Sequence, residues 1–325
     1  ADGIRTGMLF SSPAGNDLLF DSNLCEQGRN FTNKIWNASR LIKSWTVSNE
    51  IEQMDSSKVA VEWFKAKFSE NISSINSSYD KFRISEALMS TYKAVWDDFC
   101  SWFLEMVKPP YGQPIDAKTF ESIIEIFENI LIIIHPFTPF ISEEIWQQLK
   151  KRKENEFIVN INWPKIDLDK TQINSDFESF QETVMCIRNF RKENNIAMKV
   201  VLDLKIKVNE ERSNKFDSLL IKIGNLKSLE FVDESLKGAF SFVVKNNEYF
   251  VPFNDFINTD QELNKLRAEV QDRKGFLNSI LKKINNEKFM ANAPEKVVQL
   301  ELKKKDDAES QIRILEERIT NLSNP

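Results

Sequence analysis

The sequence predicts a mainly α-helical chain in three parts: a helical bundle, a small α/β module and a C-terminal antiparallel coiled-coil hairpin. Only 8 of the 325 residues are Gly, well below the usual share of about 7%, which favours long helices over many tight turns. Apolar residues recur every three or four positions through the first half of the chain. From residue 260 onward aliphatic residues recur every seven positions, which is typical of paired long helices.

Apolar spacing predicts five helices in the first half of the chain. The apolar face of the first helix consists of Phe31, Ile35, Ala38, Ile42 and Trp45. Further helices are predicted over about 57–74, 81–108 and 116–134. Pro109 and Pro110 stop the third helix, and the fifth is expected to begin at Ser142, where two acids suit a helix N-terminus.

A change of pattern after residue 165 predicts a small α/β module. Ser175–Asn194 and Ser213–Ile223 have helical spacing. Val200–Val208 alternates apolar and polar residues, which predicts a half-buried strand. The segments SLEFV, AFSFVV and EYFVPF predict three more strands, the last two joined by the tripeptide KNN.

Two heptad patterns separated by a proline predict the hairpin. The first pattern comprises Leu263, Val270, Leu277 and Ile284, and the second comprises Ala308, Ile312, Leu315, Ile319 and Leu322. Pro294 suits the first turn of the second helix. Arg273, Glu301 and Lys305 interrupt the apolar seams, so we expect the far end of the hairpin to be looser and wetter.

Several classes of site are disfavoured. Cys25, Cys100 and Cys186 are isolated, which argues against a Cys-rich zinc site and fits a reducing compartment. His135, the only histidine, follows an apolar run and precedes a proline, so we assign it a structural role. No phosphate-binding glycine loop is present, and no apolar run approaches the roughly 18 residues of a membrane span.

The opening ADGIRTGMLF has no initiating Met, signal peptide or capping pattern, so a piece of a longer protein is expected.

The charge is unevenly distributed along the chain. Between Lys265 and Lys305 there are 11 Lys or Arg and 5 Asp or Glu, a net charge of +6; the total of −5 then leaves −11 on the rest. Two interpretations stay open. The positive segment is either a solvated two-helix arm or a prong that contacts a phosphate backbone.

The first predicted helix has a second candidate surface. Arg29, Asn33, Asn37 and Arg40 share one face, and Trp36 borders it. Amide and guanidinium groups hydrogen-bond base edges, and an indole stacks on unpaired bases. The alternative is an ordinary polar face whose Trp belongs to the core.

Five segments of the chain resemble a known family of enzymes. RTGMLFSSPAGNDLLFD (5–21), CEQGRNFTNKIWNASRLIK (25–43) and KKINNEKFMANAPEKVVQLE (282–301) resemble valyl-tRNA synthetases. SEALMSTYKAVWDDFCSWFLEMVKP (85–109) and HPFTPFISEEIWQQL (135–149) resemble the anticodon-binding bundle shared by the Val, Ile and Leu class I synthetases. The opening segment and the arm point to valine, and the lack of a C-terminal cysteine cluster argues against a typical isoleucyl enzyme.

The resemblance implies a division of the chain and a role for each part. Residues 1–24 would end the catalytic and stem-contact region, 25–165 would be the anticodon-binding bundle, 166–257 a small α/β module and 258–325 a tRNA-binding arm. The parent enzyme would be a cytoplasmic, monomeric ligase that joins valine to tRNA(Val) with ATP and Mg²⁺. The family's HIGH and KMSKS signatures are absent from this sequence. The chain alone is therefore expected to be catalytically inactive, with no catalytic residue, metal or cofactor of its own and no membrane partner.

Two sets of RNA contacts are predicted. The set on the anticodon side is Arg29, Asn33, Trp36, Asn37 and Arg40. The set on the arm is Lys274, Lys282, Lys283, Lys288, Phe289, Lys303, Lys304 and Lys305. Phe289 and Met290 either plug the hairpin tip or face outward against exposed bases. The same region of an Ile or Leu synthetase and a helical protein-interaction module stay as alternatives.

Overall fold

The helices predicted from apolar spacing are present, with bounds that differ in detail. The computed structural model describes residues 1–11, 20–165, 171–209, 211–236, 238–252, 259–285, 298–302, 304–306, 308, 309, 312, 316 and 319. The chain divides into one unit of Ala1–Gln181 with Ser213–Ile223 and a second unit of Glu182–Arg212 with Gly224–Pro325. The domain ranges predicted from the sequence stay a prediction.

The bounds of the helices and strands are as follows, in chain order. The helices are α1 (Asp2–Phe10), α2 (Ser22–Lys43), α3 (Asp55–Asp80), α4 (Ile84–Lys93), a π-helical segment (Ala94–Phe103), α5 (Leu104–Val107), α6 (Ala117–Ile134), α7 (Pro139–Leu149), a 3₁₀ turn (Ile158–Asn160), α8 (Thr171–Glu193), α9 (Asp217–Gly224) and α10 (Thr259–Ile284). The strands are β1 (Val47–Ser48), β2 (Ile115–Asp116), β3 (Leu202–Lys207), β4 (Leu226–Phe231), β5 (Ala239–Val244) and β6 (Asn247–Pro252).

Aromatic rings fill the core of the first unit. Phe64 on α3 contacts Phe103 of the π-helical segment with ring centroids 4.7 Å apart. Phe99 of the same segment stacks on Phe127 of α6 at 5.4 Å. Trp63 stacks on Phe177 of α8 at 3.7 Å. Such ring pairs add about 0.5–1.5 kcal/mol each beyond the burial of their area, so this cluster joins α3, α6 and α8 into one core.

The structure corrects three predictions for the helices of the first unit. The third predicted helix begins at Ile84 rather than near residue 81, and it changes to π-helical hydrogen bonding over Ala94–Phe103. α7 begins at Pro139 rather than at Ser142, because proline suits the first helical position and because the Asp2 carboxylate accepts the backbone N–H of Ile141 at 2.7 Å. No helix was predicted at the start of the chain, yet α1 occupies Asp2–Phe10.

A four-stranded sheet lies in the second unit, in the order β4-β3-β6-β5. β3 pairs with β4 in parallel and with β6 in antiparallel fashion, and β5 and β6 form the predicted hairpin. The alternation predicted for β3 is confirmed, since Leu202, Leu204 and Ile206 are buried while the residues between them are half exposed. Lys245 adopts a left-handed φ of 51° in the hairpin turn.

Glu248 links β6 to β3 through a polar cluster. Its carboxylate accepts hydrogen bonds from Lys207 Nζ (2.9 Å), Ser235 Oγ (2.9 Å) and Asn209 Nδ2 (3.2 Å). These bonds, that of Lys207 foremost, lower the pKa of Glu248 to about 2. Because the unfolded pKa is about 4.3, the stabilisation is complete above that pH and is lost as the pH falls toward 2.

We therefore expect the stability difference between the wild type and Glu248→Gln to depend on pH. Measured by urea unfolding, it should be largest near about pH 6 and should shrink by about pH 3, where much of the linked stabilisation has been lost. A difference that stays constant over this range would show that the ionised carboxylate does not contribute.

The described residues after 258 form an antiparallel helical pair. Lys274 of α10 pairs with Glu316 at 2.6 Å, and Lys283 pairs with Glu301 at 3.7 Å. From the first pair to the second, the residue number rises on α10 and falls on the partner segment, so the two segments run in opposite directions. Among the described residues of this pair, four apolar ones are buried in the seam: Val270, Ile280, Ala308 and Ile312. The predicted hairpin pairing is confirmed for the residues described.

Within the part of the chain that the structure describes, none of the helices combines the length and the apolar character that crossing a bilayer requires.

Candidate nucleic-acid interface

α2 has an exposed polar face on the side away from its buried residues. The exposed members of this face are Arg29, Asn33, Asn37 and Arg40. At 3.6 residues per turn they fall within about 80° of the helix surface. Phe31, Ile35 and Ile42 are fully buried on the other side. The predicted face therefore exists as a surface of hydrogen-bond donors and acceptors that the bundle core does not cover.

Trp36 lies at the margin of this face and is half-buried. The helix begins with an Asp21 side chain that accepts the backbone N–H of Asn23 at 2.8 Å, a typical N-cap arrangement. It ends at Lys43, so Trp45 lies beyond it. The cap and the buried stripe together fix which side of α2 faces outward.

Lys34 of α2 and two aromatic rings that pack beside this helix form a group that was not predicted. Lys34 Nζ is 5.3 Å from the centroid of the Trp96 ring. Trp96 in turn stacks on Tyr92 at 5.4 Å with an angle of 13° between the ring planes. All three side chains are half-buried. Sequence spacing could not find this group, because its members come from two helical segments far apart in the chain.

Arg29 also borders an open groove of about 770 Å³ between α1, α2 and α7. Ile4 and Phe140 line the same groove and are 57% and 65% exposed. Glu26 and Glu144 also line it. The groove thus combines exposed apolar side chains with the guanidinium of Arg29, so its surface is partly apolar and partly charged.

His135 is held in a local hydrogen-bonded pair. Its Nδ1 is 2.8 Å from Ser142 Oγ, and that hydroxyl donates to the Thr138 carbonyl at 2.7 Å. The hydroxyl proton is thereby used, so Nδ1 carries the imidazole proton and donates to Ser142 Oγ. Burial lowers the pKa of His135 below its usual range, which favours the neutral ring. The pair joins the end of α6 to the first turn of α7.

Four of the predicted arm lysines make ion pairs within the arm. The pairs are Lys274–Glu316, Lys283–Glu301, Lys304–Glu301 and Lys305–Glu309. Lys282 is exposed on α10. Lys288, Phe289, Met290 and Lys303 lie outside the described residues, so the question of which way the hairpin tip faces stays open.

Glu301 lies buried, although it was one of the residues expected to make the far end of the hairpin wetter; the tip itself lies outside the described residues, so the expectation for that end stays a prediction. Glu301 is only 6% exposed. A hydrogen bond from Lys304 at 2.8 Å, and then the charges of Lys283 and Lys304, lower the pKa of the carboxyl. The cause is the two lysines, one on each helix, that neutralise the carboxylate and let it lie in the seam. Lys283 and Lys304 therefore have a structural role in addition to any contact with a ligand.

The comparisons with known proteins define the class of this chain. A family model described as the anticodon-binding domain of tRNA ligase matches residues 61–206. A second, described as the valyl tRNA synthetase tRNA binding arm, matches residues 258–323. The two matches, mainly on the helical bundle and on the charged helical pair, place this chain in the class of aminoacyl-tRNA synthetases. α2 precedes the first matched range.

Relatives from several bacteria narrow the class. The chain is 49% identical over 324 residues to a valine–tRNA ligase of Christiangramia forsetii and 46% identical over 323 residues to one of Parabacteroides distasonis. It is 32% identical over 336 residues to one of Bacillus thuringiensis subsp. konkukian. Each match covers 99% of this chain but only 37–38% of the relative. The chain belongs to the valyl-tRNA synthetase family and corresponds to the C-terminal part of its relatives. The resemblance found in the sequence is thereby confirmed.

Proposed function

We propose that the whole protein attaches valine to tRNA(Val) using ATP and Mg²⁺, and that this chain supplies the recognition of the tRNA. The relatives that match 99% of the chain carry the name valine–tRNA ligase, which supports the proposal. The sequence contains neither HIGH nor KMSKS. We therefore assign the ATP-dependent chemistry to no residue of this chain.

The proposal includes a monomeric parent enzyme in the cytoplasm. Cys25, Cys100 and Cys186 are free thiols, as a reducing compartment requires. Burial raises the pKa of the Cys100 thiol to about 12, so this group stays protonated and unreactive at neutral pH.

The polar face of α2 is the surface that we assign to the anticodon stem-loop. The observation that carries this assignment is the row of exposed Arg and Asn side chains opposite a fully buried stripe. Loop bases of RNA expose their edges and stack on aromatic rings, whereas the deep groove of the stem hides its bases. Arg29, Asn33, Asn37 and Arg40 would bond base or phosphate groups, and Trp36 would stack on an unpaired base.

The arm is the surface that we assign to the outer corner of the folded tRNA, where the D and T loops meet. Its candidate contacts are Lys274, Lys282, Lys283, Lys288, Phe289, Lys303, Lys304 and Lys305. The excess of 11 cations over 5 acids between Lys265 and Lys305 supports the assignment. Exposed pairs such as Lys274–Glu316 are worth at most about 1 kcal/mol, so their lysines can exchange a carboxylate for a phosphate at little cost.

We expect Asn33→Ala and Arg40→Ala to weaken the binding of tRNA(Val). Loss of a base-directed hydrogen-bonding group costs about 1–2 kcal/mol, which is roughly a five- to thirtyfold loss of affinity. The affinity would be measured by fluorescence anisotropy with labelled transcripts of tRNA(Val) and of the same tRNA with a changed anticodon. Both variants should also reduce the preference for the valine anticodon.

Lys118→Ala is the matched control, because Lys118 is an exposed cation on α6 of the same unit and does not belong to the polar face of α2. It removes the same charge as Arg40→Ala and should bind tRNA like the wild type. Unchanged affinity and preference in both α2 variants would refute the assignment of this face. Equal or tighter binding of tRNA(Ile) or tRNA(Leu) would favour the alternative synthetases, and failure to bind any tRNA would favour a protein-interaction module.

A further inference from the structure

One side of α10 has a continuous polar row that the sequence analysis did not single out. Its members, hereafter the α10 stripe, are Arg267, Gln271, Lys274, Asn278, Lys282 and Asn285, all exposed. The spacings of four, three, four, four and three residues keep them on one side of the helix. At 1.5 Å per residue the stripe extends over about 27 Å.

The residues of the α10 stripe are all either positively charged or neutral. Its own six residues comprise three cations and three neutral side chains with amide groups. One of the cations, Lys274, pairs with Glu316 of the other helix at 2.6 Å. The seam residues Val270 and Ile280 are buried on another side of the helix. Asp272 is exposed, but it lies about 120° from the middle of the stripe at 100° of rotation per residue. The stripe is therefore a surface suited to an anionic partner.

Gly275 adds an independent observation at the same place. It lies four residues after Gln271, three before Asn278 and seven before Lys282, so its neighbours on the helix surface are stripe residues. A Cβ atom built on Gly275 would meet no atom within 4 Å in the described part of the protein. Glycine in a helix interior lowers helix stability, and no packing contact with a described residue requires it. A glycine also allows another backbone to approach a helix closely.

We propose that the α10 stripe lies along the sugar-phosphate backbone of the bound RNA, and that Gly275 marks the point of closest approach. This inference rests on the proposed function of the arm. Arg267, Lys274 and Lys282 neutralise phosphates, and the amides of Gln271 and Asn278 bond phosphate or ribose oxygens. Lys283 follows Lys282 in sequence but lies about 100° away around the helix, where it pairs with the buried Glu301.

The first test compares two arginines of α10. Arg267 belongs to the stripe, whereas Arg273 is exposed on another side of the same helix. Binding of a tRNA(Val) transcript to the intact 325-residue chain would be measured at several salt concentrations. Arg267→Gln should reduce the salt slope by about 0.7–0.9 and the affinity by about five- to eightfold at 0.1 M salt, the cost of one phosphate contact. Arg273→Gln should leave both quantities unchanged.

The second test separates stability from binding at Gly275. Gly275→Gln should raise the thermal midpoint of the arm, because glutamine favours helix and the site has room for a side chain. The same variant should bind tRNA(Val) at least about fivefold more weakly, because the new side chain holds the RNA backbone away from the helix. Circular dichroism would confirm that the helix content is retained.

The outcomes distinguish this inference from the proposed function. If the wild type binds tRNA(Val) but Arg267→Gln matches Arg273→Gln, or Gly275→Gln binds like the wild type, the α10 stripe is not the RNA-facing surface and the proposed function still stands. If the wild-type chain shows no binding to tRNA(Val), the proposed function and this inference both fail.

Discussion

Replacing Arg191 with methionine should lower the free energy of unfolding of the second unit by about 3 kcal/mol, because several charged hydrogen bonds are lost together. Arg191 lies near the end of α8 and is 2% exposed. Its Nη1 donates to the carbonyls of Ala197 (3.3 Å) and Val200 (2.8 Å). Its Nη2 donates to the carbonyls of Gly224 (2.9 Å) and Asn225 (3.2 Å).

These four carbonyls explain the size of the expected effect. They belong to two separate segments, the loop before β3 and the junction between the end of α9 and β4, so one guanidinium joins both segments to α8. Methionine has a similar length but no donors, and it would leave buried carbonyl oxygens without this partner. Burial lowers the pKa of Arg191, although arginine remains protonated in proteins. The side chain is thus a buried cation held by backbone carbonyls.

The matched control for this prediction is Lys192→Met at the next position. Lys192 is exposed, so the same substitution there removes a charge without removing a buried contact and should change the stability by less than about 0.5 kcal/mol. Urea unfolding followed by circular dichroism would measure both variants. Equal stability of the two would show that the carbonyls find water or other donors when Arg191 is lost.

Gly28→Ala is expected to lower the free energy of unfolding of the first unit by about 2–3 kcal/mol, the upper part of the range for overpacked sites. A Cβ atom on Gly28 of α2 would lie 2.2 Å from the Gly3 carbonyl oxygen of α1 and 3.0 Å from the Gly7 nitrogen. A Cβ on Gly7 would in turn lie 2.6 Å from the Cα of Cys25. The two helices therefore touch through their backbones.

The clash cannot be relieved by rotating a side chain, because the atoms that it meets are backbone atoms. α1 would have to move away from α2, and the groove bordered by Arg29 would change with it. Asn30→Ala is the control, since Asn30 is exposed on the same helix and alanine favours helix there. Thermal unfolding should show a clear loss for Gly28→Ala and no loss for Asn30→Ala. A Gly28→Ala protein as stable as the wild type would mean that the close approach of α1 and α2 is not needed.

Local patterns predicted much of the fold, where one periodic signal defined one element. The alternation in β3, the apolar run of α6 and the heptads of α10 each correspond to an observed element. The polar face of α2 was predicted for the same reason, because spacing within one helix decides which residues share a side. The family likewise followed from contiguous segments of sequence.

Features that depend on two distant segments were not predicted. Asp2 accepts the N–H of Ile141 at the start of α7, and the glycines of α1 and α2 form a close contact only when the helices meet. Lys34 and Trp96 meet across two helical segments. Glu301 was expected at a wet end and is instead buried between Lys283 and Lys304. No single-segment pattern carries such information.

The sequence by itself determined the family of this protein, its helical character, the positive charge of the arm and the exposed face of α2. These properties follow from residue types and their spacing along a single helix or strand. The tertiary structure alone decided where α7 begins, how closely α1 approaches α2, what Arg191 holds together and which arm cations lie beside a buried carboxylate. The physical reason is that these contacts join groups far apart in the chain, and their energy depends on distances of a few ångströms that only the folded backbone sets.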